Sequence, residues 1–284
     1  MPTPRDTIRT YYDQNTRFFL TFNRSRKAEN IHRSLWTDDA KTLEEALNVA
    51  NEYILREIES VAPTQARIAD LGCGVVAGLI YISPRLKEPV ATLGLTLSPV
   101  QARLASQFVK SSELNQQIHF MEGDFISVPF ATESLDAIYS VEAVVHAQEP
   151  EQYFQETSRL LKRGGKLILV DDYQTTRPLS DNEIKWLDAY INGWHVPGVI
   201  TVEQAHALTE KYHLRLVKND NLTQHLQLRN LPDRAASALL FIGNTLPIRH
   251  AILPAMLGSM ALQQCLYMKV IEYRLLVFEK LSSS

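Results

Sequence analysis

The sequence predicts an α/β fold: a mostly parallel seven-stranded sheet with helices on both faces, N-terminal helices ahead of it and a late helical insertion as a cap. Three observations predict it. Short apolar runs alternate with helical patterns from Ala66 onward, and strands separated by helices need crossover connections that leave neighbouring strands parallel. A tight glycine turn, Gly72-Cys73-Gly74, directly follows the first of those runs. A stretch of about 45 residues without strand pattern separates the last two strands, too long for a structureless loop and so read as largely helical.

Each element follows from its residues. Thr42 to Ser60 carries Leu43, Ala46, Leu47, Ala50, Ile54 and Ile58 at helical spacing with no glycine or proline inside, an amphipathic helix packed on a core. Residues 1 to 60 read as a helical cap, and residues 61 to 284 as the sheet domain with its insertion near 225 to 268. Pro63 ends the helical pattern, and Ala66 to Leu71 is a short buried strand entering the glycine turn. Strands follow at Val90 to Thr96, Ile118 to Glu122, Leu135 to Tyr139 and Lys166 to Asp171, with helices at Pro99 to Ser112 and Pro150 to Leu161. Further helices lie near 181 to 192 and 202 to 212, and the last strands at Leu214 to Asn219 and Ile271 to Phe278.

Composition narrows the function classes. A net charge of -3 over 284 residues gives no basic field for phosphate backbones, so nucleic acid is not an expected partner; Arg24 to Lys27 is only a local basic cluster. The cysteines, Cys73 and Cys265, cannot build a multi-bridge framework and have no zinc-ligand company, which fits a reducing, cytoplasmic setting. The amino terminus MPTPRDTIRTYYD has no apolar run and does not read as a signal peptide. Ala251 to Met268 is uncharged and approaches spanning length, yet Pro254, Gly258, Ser259, Gln263 and Gln264 make it a poor membrane span and a better internal helix or lid.

The sharpest chemical signal is Asp70-Leu71-Gly72-Cys73-Gly74. A strand entering a glycine turn lets the backbone approach a bound ligand closely, and the helix after it offers free amides at its start. Two glycines one residue apart also occur in structural turns. The order of further motifs decides: Gly94 to Gln101 after the second strand, Gly123-Asp124-Phe125 after the third, and Leu160 to Leu167 before the fifth.

With these motifs, Ile68 to Val170 resembles class I methyltransferases that use S-adenosylmethionine, a Rossmann-like family, and most closely its tocopherol-, sterol- and natural-product sub-group. The resemblance implies that Gly72, Cys73 and Gly74 line the methionine part, and that Asp70 holds the loop or reaches the methionine amine through water. It places Thr96, Leu97 and Gln101 at the ribose, Asp124 as acceptor for the adenine amine, and Phe125 on the ring. It also implies that Tyr12, in Tyr11-Tyr12-Asp13, caps and contacts the cofactor, and that His32 and Trp36, in Ile31 to Trp36, cap the site and contact the substrate. Val75, Val76 and Ala77 stand where the family usually continues with glycine, and Thr96 where it usually has an acid. The missing acid and missing last glycine argue against a dinucleotide dehydrogenase.

Candidates for chemistry lie at the end of the fourth strand, where open parallel sheets hold ligands: Glu142, also a cofactor contact, and His146, the base candidate. A helix starting there would put both on one face. Asp171 and Asp172 orient substrate, bind a cation, or are solvated turn residues. Tyr173, Trp186 and Trp194, with Tyr190 and His195 beside them, form an aromatic group suited to an acceptor pocket, although Trp186 and Tyr190 at helical spacing equally suit core packing. The apolar insertion from Leu231 to Met268 lines that pocket or forms a homodimer surface. The expected activity is methyl transfer from S-adenosylmethionine, with no resident metal, to a small, largely apolar acceptor: a terpenoid, prenylated or aromatic natural product, methylated at carbon, nitrogen or oxygen. The alternative is a methyltransferase fold without turnover that serves as a binding or partner subunit.

Overall fold

The computed structural model describes residues 3–22, 31–62, 64–87, 91–114, 117–228 and 252–282, with a few positions between 232 and 240. Helices α1 (Pro4–Phe22) and α2 (Leu43–Val61) precede the sheet, whose first strand is β1 (Ile68–Leu71). Then come α3 (Ala77–Ile82), β2 (Thr92–Thr96), α4 (Pro99–Ser111), β3 (Ile118–Glu122), β4 (Leu135–Val141), α5 (Pro150–Leu160) and β5 (Leu161–Gln174). Helices α6 (Asp181–Trp194) and α7 (Val202–Glu210), strand β6 (Leu214–Asn221), helix α8 (Ile252–Tyr267) and strand β7 (Ile271–Lys280) complete the described chain.

The seven strands lie in the order β3-β2-β1-β4-β5-β7-β6, and only β7 runs antiparallel to its neighbours. The chain winds outward from β1 to β3, then returns to place β4 on the other side of β1. That reversal leaves a crevice above the carboxyl ends of β1 and β4, the place where open α/β sheets bind ligands.

Local sequence starts the helices where they are needed. Thr42 and Ser180 form reciprocal capping boxes with Glu45 and Glu183, and Thr201 with Gln204. Alternation along the strands then divides the core. Ile68, Tyr139, Val170 and Tyr273 face α2, α6 and α8, while Leu71, Ile138, Leu169 and Phe278 face α5 and α7. Helix α2 buries Ala50, Ile54 and Ile58 in the first of these cores. It thus continues the helical layer on the sheet, whereas α1 lies over the crevice.

Helices α6 and α8 cross where a side chain on Gly193 would come within 2.5 Å of the Gly258 Cα. The glycine that weakens 251–268 as a membrane span is therefore needed for close helix packing. Among the described residues no helix is long and apolar enough to cross a membrane. Strand β5 begins directly after α5, five residues before the expected Lys166, because Leu161 already pairs with Leu135. Arg24 to Lys27, Val90 and much of the expected homodimer surface lie outside the described residues.

Candidate active site

A cavity of about 650 Å³ opens at the crevice above β1 and β4, within the size range of small-molecule sites. Its floor is the glycine turn. Gly72 has φ of +99°, and a side chain there would start 2.4 Å from the Ala143 Cβ, so both backbone conformation and space require glycine. Gly74 (φ +53°) and Val76 (φ +62°) are also left-handed, which makes the turn tight although Val75, Val76 and Ala77 replace glycines. Asp70, Cys73, Leu97 and Gln101 line the same end. Thr96 Oγ1 donates to Gln101 Oε1 at 2.7 Å, which fixes the amide with its nitrogen free to donate. Asp124 and Phe125 form the far wall, Phe125 standing edge-on against Tyr153 at 5.2 Å.

Helix α1 and residues 31–36 close the opposite side through polar contacts to the strand ends. Arg5 meets Asp124 at 3.2 Å, and Asp13 receives Ser98 Oγ and the Val100 amide at the start of α4, where the helix dipole favours an anion. Tyr12 Oη and His146 Nε2 share a hydrogen bond of 2.8 Å. Arg33 reaches deepest. Its main-chain amide and Nε donate to Glu142 Oε1 at 2.8 and 3.1 Å, its Nη1 lies 2.9 Å from Asp172 Oδ1, and its guanidinium stacks 4.0 Å from the Tyr273 ring centroid. Tyr273 Oη donates to the same Glu142 oxygen at 2.9 Å, and Tyr190 Oη to Asp172 Oδ2 at 3.0 Å.

These surroundings separate the candidate bases. Burial pushes the Glu142 carboxyl up, but Arg33 overrides it and holds the group below the usual carboxylate range. Burial, helped by the nearby His195, pulls His146 down to about 4, so its imidazole is neutral at physiological pH. Its Nδ1 is buried and has no hydrogen-bond partner. Burial also keeps the Tyr12 phenol protonated. The neutral pair thus has one nitrogen uncommitted.

The structure brings Tyr12, His32, Asp70, Gly72, Cys73, Gly74, Thr96, Leu97, Gln101, Asp124, Phe125, Glu142, His146 and Trp194 to one cavity. It does not bring Trp36, Tyr173 or Trp186 there. The main-chain amide of Trp36 donates to His225 O at 2.7 Å, and its indole nitrogen to Ser34 Oγ at 3.2 Å. Tyr173 lies on the β5 face opposite the cavity side, as strand alternation requires, and Trp186 is fully buried in the core beneath α6. Asp171 and Asp172 are buried on opposite faces of β5, not solvated in a turn. Glu142 and His146 share no helix: Glu142 is left-handed (φ +50°) and His146 ends a short 3₁₀ turn. Arg33 and Tyr273 were legible only as an arginine beside an expected cap residue and an aromatic in a strand.

A family model described as a methyltransferase domain matches residues 69–169. An O-methyltransferase of Aspergillus nomiae is 30% identical over 166 residues, covering 58% of this chain and 70% of that protein. A sterol 24-C-methyltransferase of Schizosaccharomyces pombe is 25% identical over 78% of this chain and 57% of its own length. Three further curated methyltransferases are matched over 41% to 62% of their own length. The fold agrees with the solved geranyl diphosphate C-methyltransferase from Streptomyces coelicolor at a TM-score of 0.73, with 13% identity and 98% of both chains covered. Sequence, fold and the cavity over the glycine turn together place this chain in the methyltransferase family.

Proposed function

We propose that the protein transfers the methyl group of S-adenosylmethionine to a small, largely apolar, uncharged acceptor of the terpenoid, prenylated or aromatic kind. One observation carries the reading: a single cavity joins the glycine turn to an apolar end walled by Ile8, Tyr11, Phe19, Trp194 and Leu262, with the neutral Tyr12–His146 pair in its lining. The cavity residues suit the cofactor. Gly72 and Gly74 allow close approach of the backbone, Asp124 is an acceptor for an exocyclic amine, Phe125 an apolar face for a flat base, and Thr96 with Gln101 a polar pair for ribose hydroxyls.

Bound there, the cofactor supplies a methyl group already activated on a sulfonium. The chain's work is then alignment, water exclusion and proton handling. Helix α1 and residues 31–36 cover the site and keep water out. His146 Nδ1 takes the proton that an acceptor loses on methylation, with Tyr12 steadying the ring through Nε2. Glu142 anchors Arg33 and the cap rather than moving a proton. The uncharged acceptor follows from the two arginines that line the cavity: Arg5 is matched by Asp124, and Arg33 by Glu142 and Asp172. Neither offers a spare charge to a phosphate. Among the described residues, that sets the cavity apart from what a diphosphate acceptor needs.

Calorimetry with S-adenosylhomocysteine tests the cofactor half of the reading. Wild-type protein is expected to bind with micromolar or better affinity, and Asp124→Ala to lose about 1 to 3 kcal/mol if the carboxylate accepts a hydrogen bond in the closed site. Unchanged affinity in that variant would refute its adenine role.

A further inference from the structure

Asp171 is a buried carboxyl, 1% exposed, that does not line the cavity. Strand alternation sends Asp172 to Arg33 and Tyr190 on the cavity side of β5, and Asp171 to the other side. Each Asp171 oxygen accepts from a main-chain amide: Oδ1 from Asp172 at 2.9 Å, and Oδ2 from Val145 at 3.1 Å. The second bond leaves β5 and reaches the 3₁₀ turn Val144–His146, whose last residue carries the imidazole. Keeping a carboxyl in this place is costly. Burial, and then the neighbouring charge of Asp172, push it up to about 7, so a neutral side chain would be easier to bury.

What the carboxyl supplies is two acceptors in one plane. Ionised or protonated, both of its oxygens keep acceptor capacity, whereas an amide of the same shape has one oxygen and sets an N–H against the other donor. The turn needs a firm anchor because the chain enters it under strain. Glu142, just ahead of it, is left-handed (φ +50°) without being glycine, a conformation that persists only where the surroundings fix it. Arg33 and Tyr273 fix Glu142 from the cavity side, and Asp171 fixes Val145 from the opposite side of the sheet. Between these anchors the turn holds His146 in the cavity lining, 5% exposed, with Nε2 at 2.8 Å from Tyr12 Oη. Taking the proton-handling reading of His146 as given, we propose that Asp171 is a positioning residue for His146: its hold on the Val145 amide fixes the turn that presents the imidazole to the cavity. A carboxyl on the face of the sheet away from the cavity thereby serves the reaction without touching a reacting atom.

The test reads the imidazole itself, by nitrogen-15 NMR of the full chain labelled at histidine, with the His146 signals identified by their loss in His146→Ala. The groups around the ring are Tyr12 on α1, Glu142 after β4, His195 at the end of α6 and Asp171 on β5. Burial and His195 hold the wild-type ring down to about 4, so it should stay neutral from pH 8 to pH 5. In Asp171→Asn the turn is expected to loosen and the ring to gain water, so its pKa should rise by at least about one unit toward the free value of about 6.5, and the ring should take up its proton above pH 5. His119, exposed on β3, should give an unchanged signal. The direction discriminates. Loss of a negative charge by itself disfavours the imidazolium and lowers the pKa, and a residue that only stabilises the fold leaves the ring as it was. Should Asp171→Asn fail to fold, Asp171→Thr, which suits a strand and has a single oxygen, takes its place. A ring that stays neutral down to pH 5 in the variant would overturn the positioning role. Normal turnover in His146→Ala would instead overturn the reading of His146 as the base, and with it the part of Asp171 in the reaction, whatever the ring shows.

Discussion

Replacing Arg33 by methionine is expected to destabilise the folded protein by about 3 to 5 kcal/mol, the usual cost of leaving a buried ion-pair partner uncompensated. The reason is arithmetic on charge. Arg33 stands between Glu142 and Asp172, its side chain 17% exposed and theirs 13% and 1%, so its removal leaves two carboxylates in a poorly solvated place. Methionine fills much of the volume and keeps contact with Tyr273, so the loss reports charge more than packing. The pH trend identifies the cause. Without Arg33 the Glu142 carboxyl rises above its unfolded value, and Asp172, already raised by burial, rises further. Groups shifted that way contribute stability present at low pH and lost as pH rises through the folded pKa, so the variant should be closer to wild type at pH 5.5 than at pH 7.5. Urea unfolding at the two pH values measures this. A loss under about 1 kcal/mol, or one that ignores pH, would show that the cluster is not held by charge.

Replacing His146 by alanine is expected to lower turnover roughly a hundredfold or more toward a hydroxyl acceptor, with S-adenosylhomocysteine affinity close to wild type. A base must be unprotonated to act, and burial holds His146 down to about 4. The wild-type turnover number at saturating cofactor should therefore stay level as pH falls from 8 to about 5, where an unperturbed histidine with pKa of about 6.5 would already have lost most of its activity. Glu142→Gln tests the other assignment. Its effect should appear in folding stability and in closure of the cap, because its carboxylate oxygen is occupied by Arg33 and Tyr273. Normal kinetics in His146→Ala would remove it from proton transfer, and a turnover loss in Glu142→Gln without loss of stability would reverse the two roles.

Much of the molecule was legible before any coordinates. The apolar runs at Ile68, Leu135 and Lys166, separated by helical spacing, determined a parallel sheet because crossover connections leave no other arrangement. The glycines at 72 and 74 and the order Asp70, Thr96, Asp124 converge on one cavity, since those positions end strands that a parallel sheet aligns at one edge. Tyr12 and His32, which the family resemblance marks as cap residues, line that same cavity.

What the sequence left open depended on direction and distance. Tyr173 and Trp186 are the residue types that line apolar pockets, but strand alternation turns one to the far side of the sheet and helix phase buries the other. Glu142 and His146 read as equivalent candidates. They separate only because Arg33, 109 positions away from Glu142, folds back onto it, while His146 meets a neutral phenol 134 positions away. Asp171 carries no motif of its own, and its hold on the Val145 amide exists only once β5 lies beside β4. The sequence by itself determined the fold and the edge of the sheet where the cavity opens, because periodicity and turn chemistry are local. The tertiary structure alone decided which buried groups are charged and which neutral, because burial and long-range pairing shift pKa values and have no local signature.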